Sequence, residues 1–142
     1  RSKLNQDLEA GAIYHENIES LFSISEVLSI NCPATKETKK IINKKTLKFF
    51  SKEAIIINSA RGDMIDDDAM VESLKNNKIF ALGLDVYNGE PNIHPDYLKL
   101  PNVFILPHLG SATKKTRTAM ANLAIDNIEE FFKTGKCINK VN

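Results

Sequence analysis

Four short apolar runs lie along the chain, at residues 26–32, 54–60, 79–86 and 102–106. They read EVLSINC, AIIINSA, IFALGLDV and NVFIL, and the second is apolar on successive residues, not on alternate ones. Such a run is typical of a strand that is covered on both faces, as in a parallel sheet. The pattern therefore predicts four buried strands.

Segments with a helical spacing of apolar residues lie between the predicted strands. NIESLFSIS precedes the first strand, KKTLKFFSK the second and DDDAMVESLKNNK the third. The last of these opens with carboxylates and closes with Lys and Asn, as the dipole of a helix favours. A longer helix is predicted from about Thr113 to Phe132, with Gly135 as its stop. Alternating strands and helices predict an α/β fold with a doubly wound parallel sheet, followed by this long helix.

Composition and charge exclude several classes of partner. The 142 residues carry 19 Lys and Arg against 18 Asp and Glu, which gives a net charge of +1. This balance offers no electrostatic reason to expect nucleic acid, and no apolar run approaches the ~18 residues of a membrane span. Cys32 and Cys137 lie far apart and have no metal-ligand spacing. They are predicted to be free thiols in a reducing, cytoplasmic compartment, and no metal site is expected.

Candidate chemistry gathers just after the predicted strands. In open α/β sheets, ligands bind outside the carboxyl ends of the strands. The segments at those positions are NCPAT (31–35), SARGD (59–63), DVYNGEP (85–91) and PHLGS (107–111). These segments are therefore where we expect the functional residues.

Three side chains in those segments suit one reaction. Arg61 can hold a carboxylate by two parallel hydrogen bonds. Glu90, whose backbone is restricted by Pro91, can bond one ring nitrogen of His108 and so orient the ring, while the other nitrogen exchanges a proton with a substrate oxygen. Together they fit a 2-hydroxy or 2-oxo acid, with a dinucleotide to move the hydride. Taken singly, each residue also fits an ordinary structural role, as a surface arginine, a solvated loop glutamate and a core or rim histidine.

The sequence closely resembles one enzyme family over nearly its whole length. INSARGDMIDDDAMVESLKNNKIFALGLDVYNGEP, followed by LPNVFILPHLGSAT, resembles the D-isomer-specific 2-hydroxyacid dehydrogenases. LSINCPATKETKKIIN and EPNIHPDYLKLPNVFILPHLGSAT resemble their glyoxylate/hydroxypyruvate reductase branch. The resemblance implies that Arg61 binds the substrate carboxylate and that Glu90 pairs with His108. It makes His108 the general acid that protonates glyoxylate or hydroxypyruvate as hydride arrives from the nicotinamide.

The resemblance also implies a set of cofactor-lining residues. Asp85 matches a position at the nicotinamide end. Arg1 and Ser2 lie where the fold selects its cofactor, because an acidic residue there binds the ribose of NAD and an Arg accommodates the phosphate of NADP. Arg1 therefore favours NADP over NAD, with a basic surface start to a helix as the alternative. The further cofactor-lining positions are Cys32, Pro33, Ser59, Ala60, Arg61, His108, Gly110 and Ser111.

The family's phosphate-binding GxGxxG turn is expected before residue 1. The resemblance therefore implies that the chain is the carboxyl-terminal portion of a longer enzyme. Residues 1–112 are predicted to be part of an NAD(P)-binding domain, and residues 113–142 a helix and tail that return to the substrate domain. Alone, the chain is expected to be inactive, and the whole enzyme a homodimer.

Other functions remain open at this point. Arg61 recognises only a carboxylate that many substrates share, so a phosphoglycerate or D-lactate dehydrogenase fits as well. The family also includes transcriptional corepressors, which leaves a dinucleotide-sensing scaffold without catalysis as an alternative from another class. His15 and His94 are predicted to be solvated or structural. Turnover of a 2-oxo acid by the whole protein would distinguish an enzyme from a scaffold.

Overall fold

The computed structural model describes Lys3 and residues 5–141. Arg1 and Ser2, which are predicted to select the cofactor, lie outside the described residues. The chain forms two compact units, of which the first extends to Pro107 and the second begins at His108. The division into functional domains at residue 112 stays a prediction.

The first unit alternates strands with helices, as predicted. The four strands and the helices before the first and third of them are confirmed. β1 ends before Asn31 and β3 before Asp85, whereas β2 ends at the polar Asn58. The elements are α1 (Gln6–Glu9), α2 (Ile18–Ile24), β1 (Val27–Ile30), β2 (Ile55–Asn58), α3 (Asp67–Lys75), β3 (Ala81–Leu84) and β4 (Val103–Ile105), with 3-10 turns at Thr46–Phe49, Gly62–Met64 and Tyr97–Lys99.

The segment KKTLKFFSK departs from its prediction, because it forms only the 3-10 turn Thr46–Phe49. The Asn43 side chain accepts hydrogen bonds from the backbone N–H groups of Lys45 and Thr46, at 2.9 and 3.3 Å. The Thr46 hydroxyl donates to the carbonyl oxygen of Ile41 at 2.8 Å. Such local side-chain bonds compete with the α-helical ladder, so the chain turns instead of continuing as a helix.

The strands form one parallel sheet in the order β1-β2-β3-β4. Ile30, Asn58, Leu84 and Ile105 stand in one register row across it. The carboxyl ends of all four strands therefore lie along a single edge. The predicted fold class is confirmed by this topology.

The two faces of the sheet differ in burial. One face carries Ile56, Leu82 and Leu84, which join the apolar core together with Met70 and Leu74 of α3. On the other face, Val27, Ile57 and Phe104 are 57%, 37% and 67% exposed. Within the described residues this second face is exposed, so the prediction that β2 is covered on both faces stays a prediction.

The second unit is dominated by α4 (Lys114–Thr134), which confirms the predicted long helix. The Thr113 side chain caps it by accepting the N–H of Thr116 at 3.1 Å. Gly135 ends it in the left-handed region, with φ of 72°, as its lack of a Cβ allows. None of its residues is buried, including the apolar Met120, Leu123, Ile128 and Phe131. Within the described part of the chain, no helix is long and apolar enough to cross a bilayer.

Candidate active site at the carboxyl edge of the sheet

Most of the predicted site residues of the first unit follow strands that end at one edge. Ser59 comes directly after β2 and Asp85 directly after β3, while Cys32 and Pro33 lie in the segment after β1. Because the strands are parallel and in register, these segments leave the sheet side by side. The structure therefore brings these four residues, together with Ala60 and Arg61, to a common edge.

Asn58 holds the turn that presents Arg61. It is the last residue of β2 and its side chain is fully buried. Its Nδ2 donates to the carbonyl oxygen of Arg61 at 2.8 Å, and its Oδ1 accepts the N–H of Ala60 at 3.1 Å. Sequence analysis missed this residue, although a polar side chain at the end of an apolar run was a signal.

Further hydrogen bonds join the segments after the first three strands. The Ser59 hydroxyl donates to Oδ1 of Asn31 at 3.2 Å, and Nδ2 of Asn31 donates to the Ser29 hydroxyl at 2.9 Å. The N–H of Asp85 donates to the carbonyl oxygen of Asn58 at 3.0 Å. The edge is thus a connected polar surface.

Arg61 lies exposed on this edge. Its Nη1 donates to the carbonyl oxygen of Ala60 at 2.6 Å. A guanidinium has five N–H donors in a planar fork, more than this one bond needs. The side chain is therefore suited to a carboxylate ligand.

Gly62 brings the Arg61 turn against the turn that follows β3. A Cβ built on Gly62 would overlap the carbonyl group of Tyr87 and the backbone nitrogen of Asn88. The two backbones thus meet at a distance that only glycine permits. This contact places the turn that bears Arg61 beside the turn that bears Glu90.

Glu90 folds back onto its own turn. Its Oε1 accepts the N–H of Tyr87 at 3.1 Å, and Gly89 supplies a positive φ of 78°. The peptide bond from Glu90 to Pro91 is cis. The carboxylate is therefore held near the backbone that Gly62 touches.

His108, Gly110 and Ser111 belong to the second unit. His108 has a φ of 55°, in the left-handed region that residues with a Cβ seldom adopt. Strained backbone of this kind clusters at functional sites. The contact between His108 and Glu90 stays a prediction, as do the cofactor contacts of Gly110 and Ser111.

The other two histidines have contacts elsewhere. Nδ1 of His15 lies 3.0 Å from the hydroxyl of Ser20, and Nε2 of His94 lies 3.3 Å from Oδ1 of Asp68. Among the residues that the structure describes, no three His, Cys, Asp or Glu side chains gather as a metal site.

The side chains at the edge fit the nicotinamide end of a dinucleotide. Asn31 offers an amide, Ser59 a hydroxyl and Asp85 a half-buried carboxylate. These groups complement the carboxamide and the ribose hydroxyls, which both donate and accept hydrogen bonds. Their position outside the strand ends is where an open α/β sheet binds its ligand.

Comparison with known proteins identifies the family. Residues 1–110 match the model of the D-isomer specific 2-hydroxyacid dehydrogenase, NAD binding domain. The chain belongs to this family. The resemblance stated from the sequence is thereby confirmed, and so is the assignment to a nucleotide-binding fold.

Individual dehydrogenases and reductases of the family are similar to the chain. Glycerate dehydrogenase of Hyphomicrobium methylovorum is 39% identical over 93% of this chain and 41% of its own length. Glyoxylate reductase of Thermococcus litoralis is 41% identical over 88% of this chain and 38% of its own. The NADPH-dependent glyoxylate/hydroxypyruvate reductase of Sinorhizobium meliloti, solved with NADP and malonate, is 36% identical and superposes with a TM-score of 0.85, over 92% of this chain and 41% of that one. The chain thus spans about two fifths of the length of the curated relatives it matches.

Proposed function

We propose that the whole protein containing this chain reduces a small 2-oxo acid with NAD(P)H, and that the acid is glyoxylate or hydroxypyruvate. The observation that carries the proposal is the contact of Gly62 with Tyr87 and Asn88. It sets the turns of Arg61 and Glu90 side by side at the ligand-binding edge of the family's NAD-binding domain. The names of the similar reductases from Thermococcus litoralis and Sinorhizobium meliloti support the same choice of acid.

Each residue has a role in the proposed reaction. Arg61 binds the substrate carboxylate by two parallel hydrogen bonds. His108 donates a proton to the 2-oxo oxygen, and Glu90 bonds the opposite ring nitrogen, which fixes the tautomer and favours the charged ring. A reduced nicotinamide, when bound, supplies the hydride to the carbonyl carbon. The hydride and the proton together convert the carbonyl group into a secondary alcohol.

NADP is the proposed cofactor, ahead of NAD. Arg1 at the cofactor-selecting position supports it, and the similar reductase of Sinorhizobium meliloti is NADPH-dependent. The same residues, Asp85 and Ser59 above all, would hold the nicotinamide half of either dinucleotide. A lower KM for NADPH than for NADH would support this choice, and the reverse would contradict it.

We also propose that the whole protein is a cytoplasmic homodimer that binds neither nucleic acid nor a membrane. The free cysteines Cys32 and Cys137 fit a reducing compartment. The family's usual dimeric state is the basis for the assembly, and light scattering on the whole protein would test it. The scaffold alternative gains no support, since the relatives described above are named as dehydrogenases and reductases.

The test is a spectrophotometric assay of the whole protein. Loss of absorbance at the reduced-nicotinamide band is followed with glyoxylate and with hydroxypyruvate, using NADH and NADPH in turn. His108→Ala should slow turnover about 10²–10⁴-fold, the usual contribution of a general acid. His15→Ala is the matched control and should leave turnover unchanged, because His15 contacts Ser20 of α2 and has no role in the proposed reaction.

Two results would contradict the proposal. Cofactor binding without turnover of either acid would favour the sensing scaffold or a different 2-oxo acid. Full turnover by His108→Ala would show that another group supplies the proton.

A further inference from the structure

The segment after β3, which contains Glu90, is attached to the start of helix α3 by two side-chain pairs. The Tyr97 hydroxyl donates to Oδ1 of Asp67 at 3.0 Å. Nε2 of His94 lies 3.3 Å from Oδ1 of Asp68. Both pairs join residues far apart in sequence, so they fix the segment relative to the core.

The two pairs differ in their surroundings. Tyr97 is buried, with 1% of its surface exposed, and Asp67 is half-buried. The Asp68 side chain is 95% exposed, so water and salt weaken its interaction with His94. Of these two pairs, Asp67–Tyr97 is therefore the stronger attachment of the segment to the start of α3.

Asp67 acts on the segment of Glu90 through its bond with Tyr97. Burial raises the pKa of the Asp67 carboxyl, and the hydrogen bond from the Tyr97 hydroxyl opposes that shift. Asn88 lies two residues before Glu90, and its backbone is part of the contact with Gly62. An ionised carboxylate only accepts hydrogen bonds, so it suits the Tyr97 hydroxyl as a donor.

We propose that Asp67 is a positioning residue for Glu90. Its carboxylate accepts the Tyr97 hydroxyl after Glu90, and the backbone of Tyr87 and Asn88 before Glu90 rests against Gly62, so the segment between them is fixed at both ends. The N–H of Tyr87, which donates to Oε1 of Glu90, belongs to the same turn. The inference rests on the proposed function, since it gives Glu90 a part in proton transfer.

Two substitutions in the whole protein test this role. Asp67→Asn keeps the size of the side chain but removes the charge that strengthens its hydrogen bond with Tyr97. Tyr97→Phe keeps the buried ring and removes only the hydroxyl. Glu72→Gln is the matched control, because this exposed carboxylate of α3 contacts Lys44 at 3.4 Å and not the segment after β3.

The first measurement is of kcat and KM for the 2-oxo acid, with kcat expressed per molecule of bound cofactor. Both variants should lower kcat about 10- to 100-fold, the effect of a displacement of a catalytic group by up to about 1 Å. KM should stay unchanged, because Arg61 and not Glu90 binds the substrate carboxylate. A loss of folded protein alone would leave kcat per bound cofactor unchanged.

The second measurement is hydrogen exchange of the Tyr87 amide, which reports the bond to Glu90 without any need for turnover. Exchange should accelerate in both variants and stay unchanged in the amides of β2. Wild-type kcat in Asp67→Asn and Tyr97→Phe, or equal acceleration in β2, would overturn the positioning role. If the wild-type protein turns over no 2-oxo acid, the proposed function fails, whereas the exchange comparison still decides whether Asp67 holds the turn.

Discussion

Replacing Gly62 by alanine tests whether the turns of Arg61 and Glu90 must touch. A Cβ at position 62 would lie less than 3.0 Å from the carbonyl carbon and oxygen of Tyr87 and from the nitrogen of Asn88. Cβ atoms in proteins essentially never come that close to other atoms. These are backbone atoms, so no flexible side chain can move aside. The turn after β3 must shift as a whole.

The size of the effect follows from this overlap. Forcing an extra methyl group into a packed site costs about 1–3 kcal/mol of unfolding free energy. At about 2–4 °C per kcal/mol, the melting temperature of the whole protein should fall by about 2–12 °C. A shift of the Glu90 turn by about 1 Å should also lower kcat/KM for the 2-oxo acid about 100-fold.

Gly83→Ala is the matched control. A Cβ at Gly83 meets the Ile57 side chain at 3.7 Å, which is ordinary van der Waals contact. This variant should melt no lower than the wild type and keep its activity, because alanine also reduces the entropy of the unfolded chain. Thermal unfolding and steady-state kinetics compare the two variants. Equal activity of Gly62→Ala and Gly83→Ala would refute the reasoning.

Three further variants test individual interactions. Asn58→Ala removes two hydrogen bonds at a fully buried site and should cost about 1–3 kcal/mol in chemical denaturation; an unchanged midpoint would contradict its anchoring role. Arg61→Lys should raise KM for the acid about 10-fold at unchanged stability, because the planar fork is lost while the charge stays, and an unchanged KM would place the carboxylate elsewhere. Lys75 and Lys99 lower the pKa of Asp96 to about 2, below its ordinary 3.8. The stabilisation of the folded protein by these two lysines is therefore present above about pH 4 and lost as pH falls through about 2. The melting temperatures of wild type and Asp96→Asn should converge on acidification. A difference in melting temperature that widens in acid would contradict this sign.

The elements that were predicted correctly are those whose local residue preferences agree with their place in the packed structure. Helix α3 has a cap, Asp66, whose side chain accepts the N–H of Ala69, and an apolar side that enters the core. The four strands stand out because their apolar runs are short and end at polar or glycine-rich turns. Local pattern was misleading at KKTLKFFSK, where the Asn43 side chain bonds the following backbone and stops the helix.

The contacts that build the site could not be predicted from local pattern. Gly62 touches Tyr87 across the sheet edge, and Asp67 meets Tyr97 from a neighbouring element. Each contact joins residues that are distant in sequence, and nothing in their immediate neighbours specifies the partner. In the sequence, Asn58 is only a polar residue in an apolar run. Its hydrogen bonds to Ala60 and Arg61 are seen only in the folded turn. Arg61 and Glu90 were found because the strand-end rule selects their segments.

A double-mutant cycle on His108 and Glu90 tests the central claim most directly. The whole protein is assayed for reduction of glyoxylate and hydroxypyruvate as wild type, His108→Gln, Glu90→Gln and the double variant. If Glu90 acts through His108, the two losses of kcat are strongly non-additive, and Glu90→Gln has little further effect once His108 is gone. Additive losses, or an active wild type whose kcat neither substitution lowers, would contradict the account.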